Sequence, residues 1–115
     1  MNSLAFMIRT ITLSIEPSSE VLRGTNVTLR CHAAIGSSGQ EALSREYTIF
    51  KGSKVVYTKT SSTSEDLLYP LSEARISNTG SYACKINIEG KHMTSDVKEL
   101  TVTGWFVIMG TVLSV

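Results

Sequence analysis

The chain has 115 residues, 42% of them hydrophobic, and a formal net charge of +1. That is one domain by size, with apolar material for one modest core. Its lysines and arginines are interleaved with acids, which argues against the basic stripe of an electrostatic nucleic-acid binder.

Two cysteines, Cys31 and Cys84, are too few for a zinc site and form no C-x-x-C pair. They either bond to each other or lie reduced in the core as small hydrophobes. The bond is the expectation, and closing so long a loop contributes roughly 4 kcal/mol in the chain-entropy model. It implies passage through an oxidising secretory route.

Residues 1–9 read as an N-terminal extension. Their apolar run, Leu4 to Ile8, is stopped by Arg9 and has no basic residue ahead of it, so it makes a poor secretory leader. Thr10 to Ile15 alternates with Ile11, Leu13 and Ile15 on one face, as a half-buried strand does. Pro17 breaks that strand, which resumes around Val21, and Gly24 marks a turn. Asn26 to His32 is the clearest strand, with Val27, Leu29 and Cys31 inward and Asn26, Thr28 and Arg30 outward. Asn26-Val27-Thr28 is also an N-glycosylation acceptor sequence, with Asn26 on the solvent side; without a sugar, Asn26 is a polar strand residue.

Gly36 to Gln40 has loop composition. Glu46 to Lys51 reads as a strand with Tyr47 and Ile49 inward and Thr48 and Phe50 outward. Gly52-Ser53 turns the chain into a short strand from Lys54 to Lys59. Leu67, Tyr69 and Leu71 alternate into the core around an outward Pro70, and Ser72 to Ser77 makes a helical turn with Ala74 tucked beneath the sheets. Tyr82, Cys84, Ile86 and Ile88 then share one parity. Glu89-Gly90-Lys91 makes a hairpin turn, and Ser95 to Thr103 closes the domain with Leu100 and Val102 inward. Residues 105–115 form an apolar tail, shorter than the ~20 residues of a membrane span. It reads as half of such a span or as a strand extension, and the chain is expected to be a piece of a larger secretory protein.

The residues that tie these strands into one fold are Val27-x-Leu29-x-Cys31, Tyr69-x-Leu71, Asn78-x-Gly80-x-Tyr82-x-Cys84 and Leu100-x-Val102. A tyrosine two positions before the second of two cysteines is the tyrosine-corner signature. On these residues the chain resembles the immunoglobulin superfamily, constant-2 or intermediate type, over most of its length. Ile49 to Tyr57 and the Asn87–Lys91 hairpin are similar to platelet endothelial cell adhesion molecules and Fc-receptor-like proteins. The resemblance implies an all-β fold, an antiparallel two-sheet sandwich of about seven strands, over residues 10–104. Two departures stand out. Asn78 replaces the usual Asp, so the turn is capped without a charge pair. Ile49 replaces the Trp found in antibody-type domains, which removes aromatic burial worth about 1 kcal/mol.

The resemblance also implies a function: an extracellular module of a cell-surface adhesion or immune receptor. Its partner is a protein, either a second copy or another cell-surface molecule. The alternative is a spacer domain with no ligand of its own. Phe50, Lys85 and Asn87, outward on adjacent strands, are the candidate contact residues. His32 and His92 have no Ser or Asp arrangement of a triad around them and read as solvated surface. The chain also lacks a glycine-rich phosphate loop and paired carboxylates. No catalysis, cofactor or metal is expected.

Overall fold

The computed structural model describes residues 6–37, 43–108 and 111–114. In chain order the strands are β1 (Phe6–Glu16), β2 (Glu20–Leu22), β3 (Val27–Ser37), β4 (Arg45–Lys51), β5 (Lys54–Ser61) and β6 (Leu67–Leu71). A short 3₁₀ turn (Ile76–Asn78) leads to β7 (Gly80–Ile88), β8 (Lys91–Thr94) and β9 (Lys98–Thr103). A separate pair, β10 (Trp105–Ile108) and β11 (Thr111–Ser114), follows. β1, β3 and β6 form a three-stranded sheet; β2, β9, β7, β4 and β5, with β8 also on β7, form a six-stranded one. The immunoglobulin-like sandwich of the sequence reading is therefore the fold.

Several details differ from the expectation, each for a local reason. The first strand is divided between the sheets. Pro17 has no N–H with which to continue the β1–β3 ladder, and after it the chain crosses to the opposite sheet. There β2 pairs with β9 in parallel, so the sandwich is not antiparallel throughout. Residues 6–9, read as part of an extension, are the start of β1, and Phe6 is buried. The Lys91 ammonium lies 4.3 Å over the Phe6 ring and donates to the Phe6 carbonyl at 3.0 Å, holding this end against the β7–β8 hairpin. Phe6 in turn faces Ser37 across the ladder. That pairing carries β3 through Gly36 and Ser37, where composition suggested a loop; the rest of that loop lies outside the described residues.

The last strand is also broken. Between the pairs Lys85–Thr94 and Tyr82–Lys98, β7 contributes Ala83 and Cys84 against Ser95, Asp96 and Val97. The extra residue makes a bulge. Ser95, buried here, repairs it: its Oγ accepts the Cys84 N–H at 2.9 Å and its own N–H reaches the Cys84 carbonyl at 2.7 Å. A second bulge opposes Ile49–Phe50, where Val56 is the extra residue of β5. It breaks the alternation of that strand, leaving Val55 exposed and Val56 and Tyr57 both half-buried. The two divided strands take the sandwich from about seven strands to nine among the described residues.

The two sheets bury Val27, Leu29, Cys31, Tyr47, Ile49, Tyr82, Cys84, Ile86 and Leu100 between them. Cys31 of β3 and Cys84 of β7 are joined by a disulfide with a Cα–Cα distance of 6.3 Å. Ile49 faces Cys84 across the β4–β7 ladder, the position the missing Trp would take. At the open side of the sandwich, Tyr57 of β5 stacks on Tyr69 of β6 at 4.9 Å between ring centroids.

Below the disulfide, the Tyr82 hydroxyl donates to the Asn78 carbonyl, four residues upstream, closing the tyrosine corner. Burial raises the Tyr82 phenol above its usual range, which keeps it a donor. Asn78 caps the turn, as expected, by accepting the Arg75 N–H at 2.7 Å. Gly80 leaves room for a crossing side chain. A Cβ there would meet the Lys51 side chain at 2.7 Å, and Lys51 reaches over it to donate to the Ser77 carbonyl.

The outer side of the three-stranded sheet carries a charge cluster. Arg30 on β3 donates to Glu16 at the end of β1 (2.9 Å) and to Asp66 ahead of β6 (3.2 Å). His32 Nδ1 lies 2.7 Å from the other Asp66 oxygen. The cluster spans all three strands, yet its members are largely solvated, so each pair contributes little alone. The His32 hydrogen bond has the largest influence on Asp66 and, with help from Arg30, holds it below its ordinary value of 3.8 against the opposing effect of burial. Arg30 likewise lowers Glu16.

Tyr82→Phe removes the corner bond and strands a carbonyl, so denaturant unfolding should show a loss of about 1–2 kcal/mol; unchanged stability contradicts the corner's role. A carboxylate with a depressed folded-state pKa stabilises the fold above its unfolded pKa, and that contribution is lost as pH falls through the folded value. Unfolding midpoints should therefore drop as pH falls below the ordinary carboxylate range, with a shallower drop in Asp66→Asn and in high salt. Equal slopes in the two proteins would contradict the linkage.

Candidate recognition face

Alternation decides what the six-stranded sheet presents outward. Because Tyr47 and Ile49 on β4 and Tyr82, Cys84 and Ile86 on β7 point into the core, Thr48, Phe50, Ala83, Lys85 and Asn87 point away from it. Register then arranges these residues in rows across the strands. One row runs Val55–Phe50–Ala83. The next is Thr58–Thr48–Lys85–Thr94, and the one beyond it is Thr60–Glu46–Asn87–His92. The face is thus graded along the strands from an apolar row, through threonines and a lysine, to a polar end.

All three candidate contact residues are on this one face. Phe50 is half-buried, flanked by Ala83 and by Val55, which is 50% exposed. Lys85 and Asn87 are also half-buried and sit one and two rows away. Asn87 has a structural task that parity alone did not reveal. Its Oδ1 accepts the Gly90 N–H at 3.2 Å and so braces the two-residue β7–β8 turn. Glu89 and Gly90, the central residues of that turn, both have positive φ, the requirement of a type I′ hairpin.

The other singled-out residues lie elsewhere. Asn26 is exposed at the start of β3, on the outer side of the three-stranded sheet. His32 is on that same side, where it pairs with Asp66 rather than standing alone in solvent. His92 is exposed on β8, opposite Asn87.

Two features of the surface lie beyond what local sequence pattern carries. The Glu16–Arg30–Asp66–His32 cluster needs the β1–β3–β6 register, which no local pattern carries. The Val55–Phe50–Ala83 row depends on the Val56 bulge, which places Val55 rather than Val56 beside Phe50. The hydrophobic pair Val55-Val56 was the one available signal. On the face itself, hollows are shallow and open; this is a surface for meeting another surface, not for enclosing a small molecule.

Comparison with known proteins agrees with this architecture. The model of the immunoglobulin domain matches residues 10–102. Platelet endothelial cell adhesion molecule of Sus scrofa is 29% identical over 100 residues, covering 87% of this chain and 13% of its own length. That of Rattus norvegicus is 29% identical over 101 residues, covering 87% and 15%. The chain therefore spans about one seventh of the curated relatives it matches. Among solved structures, CHIR-AB1 superposes with a TM-score of 0.64 at 22% identity, over 84% of this chain and all of that one. A three-Ig fragment of titin gives a TM-score of 0.60 at 14% identity, over 87% of this chain and 33% of its own. These structural likenesses concern the fold, while the matched residues carry the family: the chain belongs to the immunoglobulin-domain family.

Proposed function

We propose that the chain is an extracellular module of a cell-surface adhesion or immune receptor, and that it binds a protein through the outer face of its six-stranded sheet. The observation that carries this reading is the apolar row Val55–Phe50–Ala83, a half-exposed aromatic set between two small apolar side chains on three adjacent strands. An aromatic in such a frame desolvates readily against a partner, while the polar rows beside it supply a rim. Phe50 is the anchor in this reading. Lys85 supplies a charge and the Asn87 amide a donor. Similarity to adhesion molecules and a disulfide that persists in oxidising compartments support placement outside the cell. The module comprises residues 10–104 together with the β1 start packed on it, and 105–115 is an appended tail.

The test uses fluorescent tetramers of the folded, disulfide-bonded domain on cultured cells, and beads coated with the domain for self-association. Phe50→Ser should weaken whichever binding is seen by about tenfold or more and leave thermal unfolding close to wild type, since the side chain is not in the core. Equal binding by both proteins overturns the assignment of this face. Absence of binding by the wild-type domain, alongside binding by a longer ectodomain containing it, favours the spacer reading.

A further inference from the structure

The outer side of the three-stranded sheet needs its own account, because it carries the chain's one Asn-x-Ser/Thr sequence, Asn26-Val27-Thr28. Folding leaves Asn26 exposed. Its Oδ1 accepts the Glu73 N–H at 2.9 Å, with Glu73 held in a turn at a φ of 50°. Only the carbonyl end of the amide can accept that bond, so the contact turns Nδ2 outward. From Asn26 the outward side chains of β3 continue through Thr28, Arg30 and His32, beside Pro70 and Leu68 of β6.

We propose that Asn26 carries an N-linked glycan that lies over the outer face of the three-stranded sheet, leaving the six-stranded sheet as the open face for protein contact. The proposal rests on the secretory placement argued above. The glycan is transferred from an oligosaccharide carried on a lipid diphosphate. The Nδ2–C1 bond forms as the bond from C1 to the diphosphate oxygen breaks; the diphosphate leaves with the electron pair and Nδ2 gives up one proton. The Oδ1–Glu73 bond survives this step, because the substituted amide keeps its carbonyl. The bond therefore fixes the direction in which the first sugar leaves the protein. The sugar adds bulk beside an already charged and hydrated surface and buries none of the Val55–Phe50–Ala83 row, which belongs to the other sheet.

The experiment translates the full chain behind a cleavable leader in the presence of microsomes, so that glycosylation is read without any binding partner. The translocated, protease-protected chain should show one mobility step that peptide N-glycosidase removes. Thr28→Ser should keep the step. Thr28→Ala should lose it, and so should Asn26→Asp, which still offers an acceptor to Glu73. A translocated chain without the step overturns the site. For the coverage, hydroxyl-radical footprinting of the secreted glycoprotein before and after sugar removal reads each face separately. Labelling of the exposed Leu68 and Pro70 should rise while that of Phe50 and Val55 stays the same. Unchanged labelling at Leu68 and Pro70, or a rise at Phe50, overturns the partition of the faces. Neither readout involves the protein partner, so a failure here is distinct from a failure of Phe50→Ser to affect binding.

Discussion

The bond between Cys31 and Cys84 joins the centre of one sheet to the centre of the other, and the arrangement of the remaining strands depends on it. Each cysteine imposes a parity on its strand. With Cys31 inward, Val27 and Leu29 must be inward, so Asn26, Thr28, Arg30 and His32 are outward. With Cys84 inward, Tyr82, Ile86 and Ile88 follow it into the core, and Ala83, Lys85 and Asn87 face solvent. A one-residue slip of either strand would exchange its faces and expose the sulfur. A core of this size also gains from the link itself, which removes roughly 4 kcal/mol of loop-closure freedom from the unfolded chain in the entropic model. Ile49 fills the neighbouring position with fewer buried atoms than a Trp would, which increases the relative weight of the bond.

The corner beneath the disulfide belongs to the same device. Tyr82 is two residues from Cys84 and shares its inward parity, yet its hydroxyl returns to the Asn78 carbonyl. Thr79 carries the connection onward, with its Oγ1 accepting the Val102 N–H at 2.9 Å and ties the turn to β9. The turn before β7 is thereby fixed to the last strand of the sheet. Lys51 adds a third tie by crossing Gly80 to reach Ser77.

The strands that obey a two-residue period were legible in the sequence, because one buried face leaves an alternation that composition does not hide. That was true of β3, β4, β6 and β7, and of the Glu89-Gly90 turn, whose glycine announces positive φ. The irregular positions were not legible, since each is decided by a neighbour far away in sequence. Gly36 has the composition of a loop, but the early start of β1 gives it a ladder partner. Ser95 looks like one more strand residue, and only the Cys84 N–H opposite it explains why the strand breaks there. The candidate contact residues were found by parity, which is local. The row joining Phe50 to Val55 and Ala83 was missed because a bulge sets it. The charge cluster over Arg30 escaped for the same reason: its four members come from β1, β3 and the residue ahead of β6, whose pairing only the fold supplies.

The two outer faces therefore differ in kind. The three-stranded sheet presents a charge cluster, the Asn26 amide and the separate side chains of Leu68 and Pro70 to water, whereas the six-stranded sheet presents an apolar row around an aromatic with polar rows beside it. In the proposed function, recognition belongs to the second face. That assignment is tested most directly by moving a sugar onto that face. Glu46→Asn creates, with Tyr47 and Thr48, an acceptor sequence two rows from Phe50, at an exposed position outside the core. Once mass spectrometry has located the added glycan and the disulfide is intact, tetramers of this variant should lose their binding to cells that bind the wild-type domain. Full binding with the glycan in place would contradict the account.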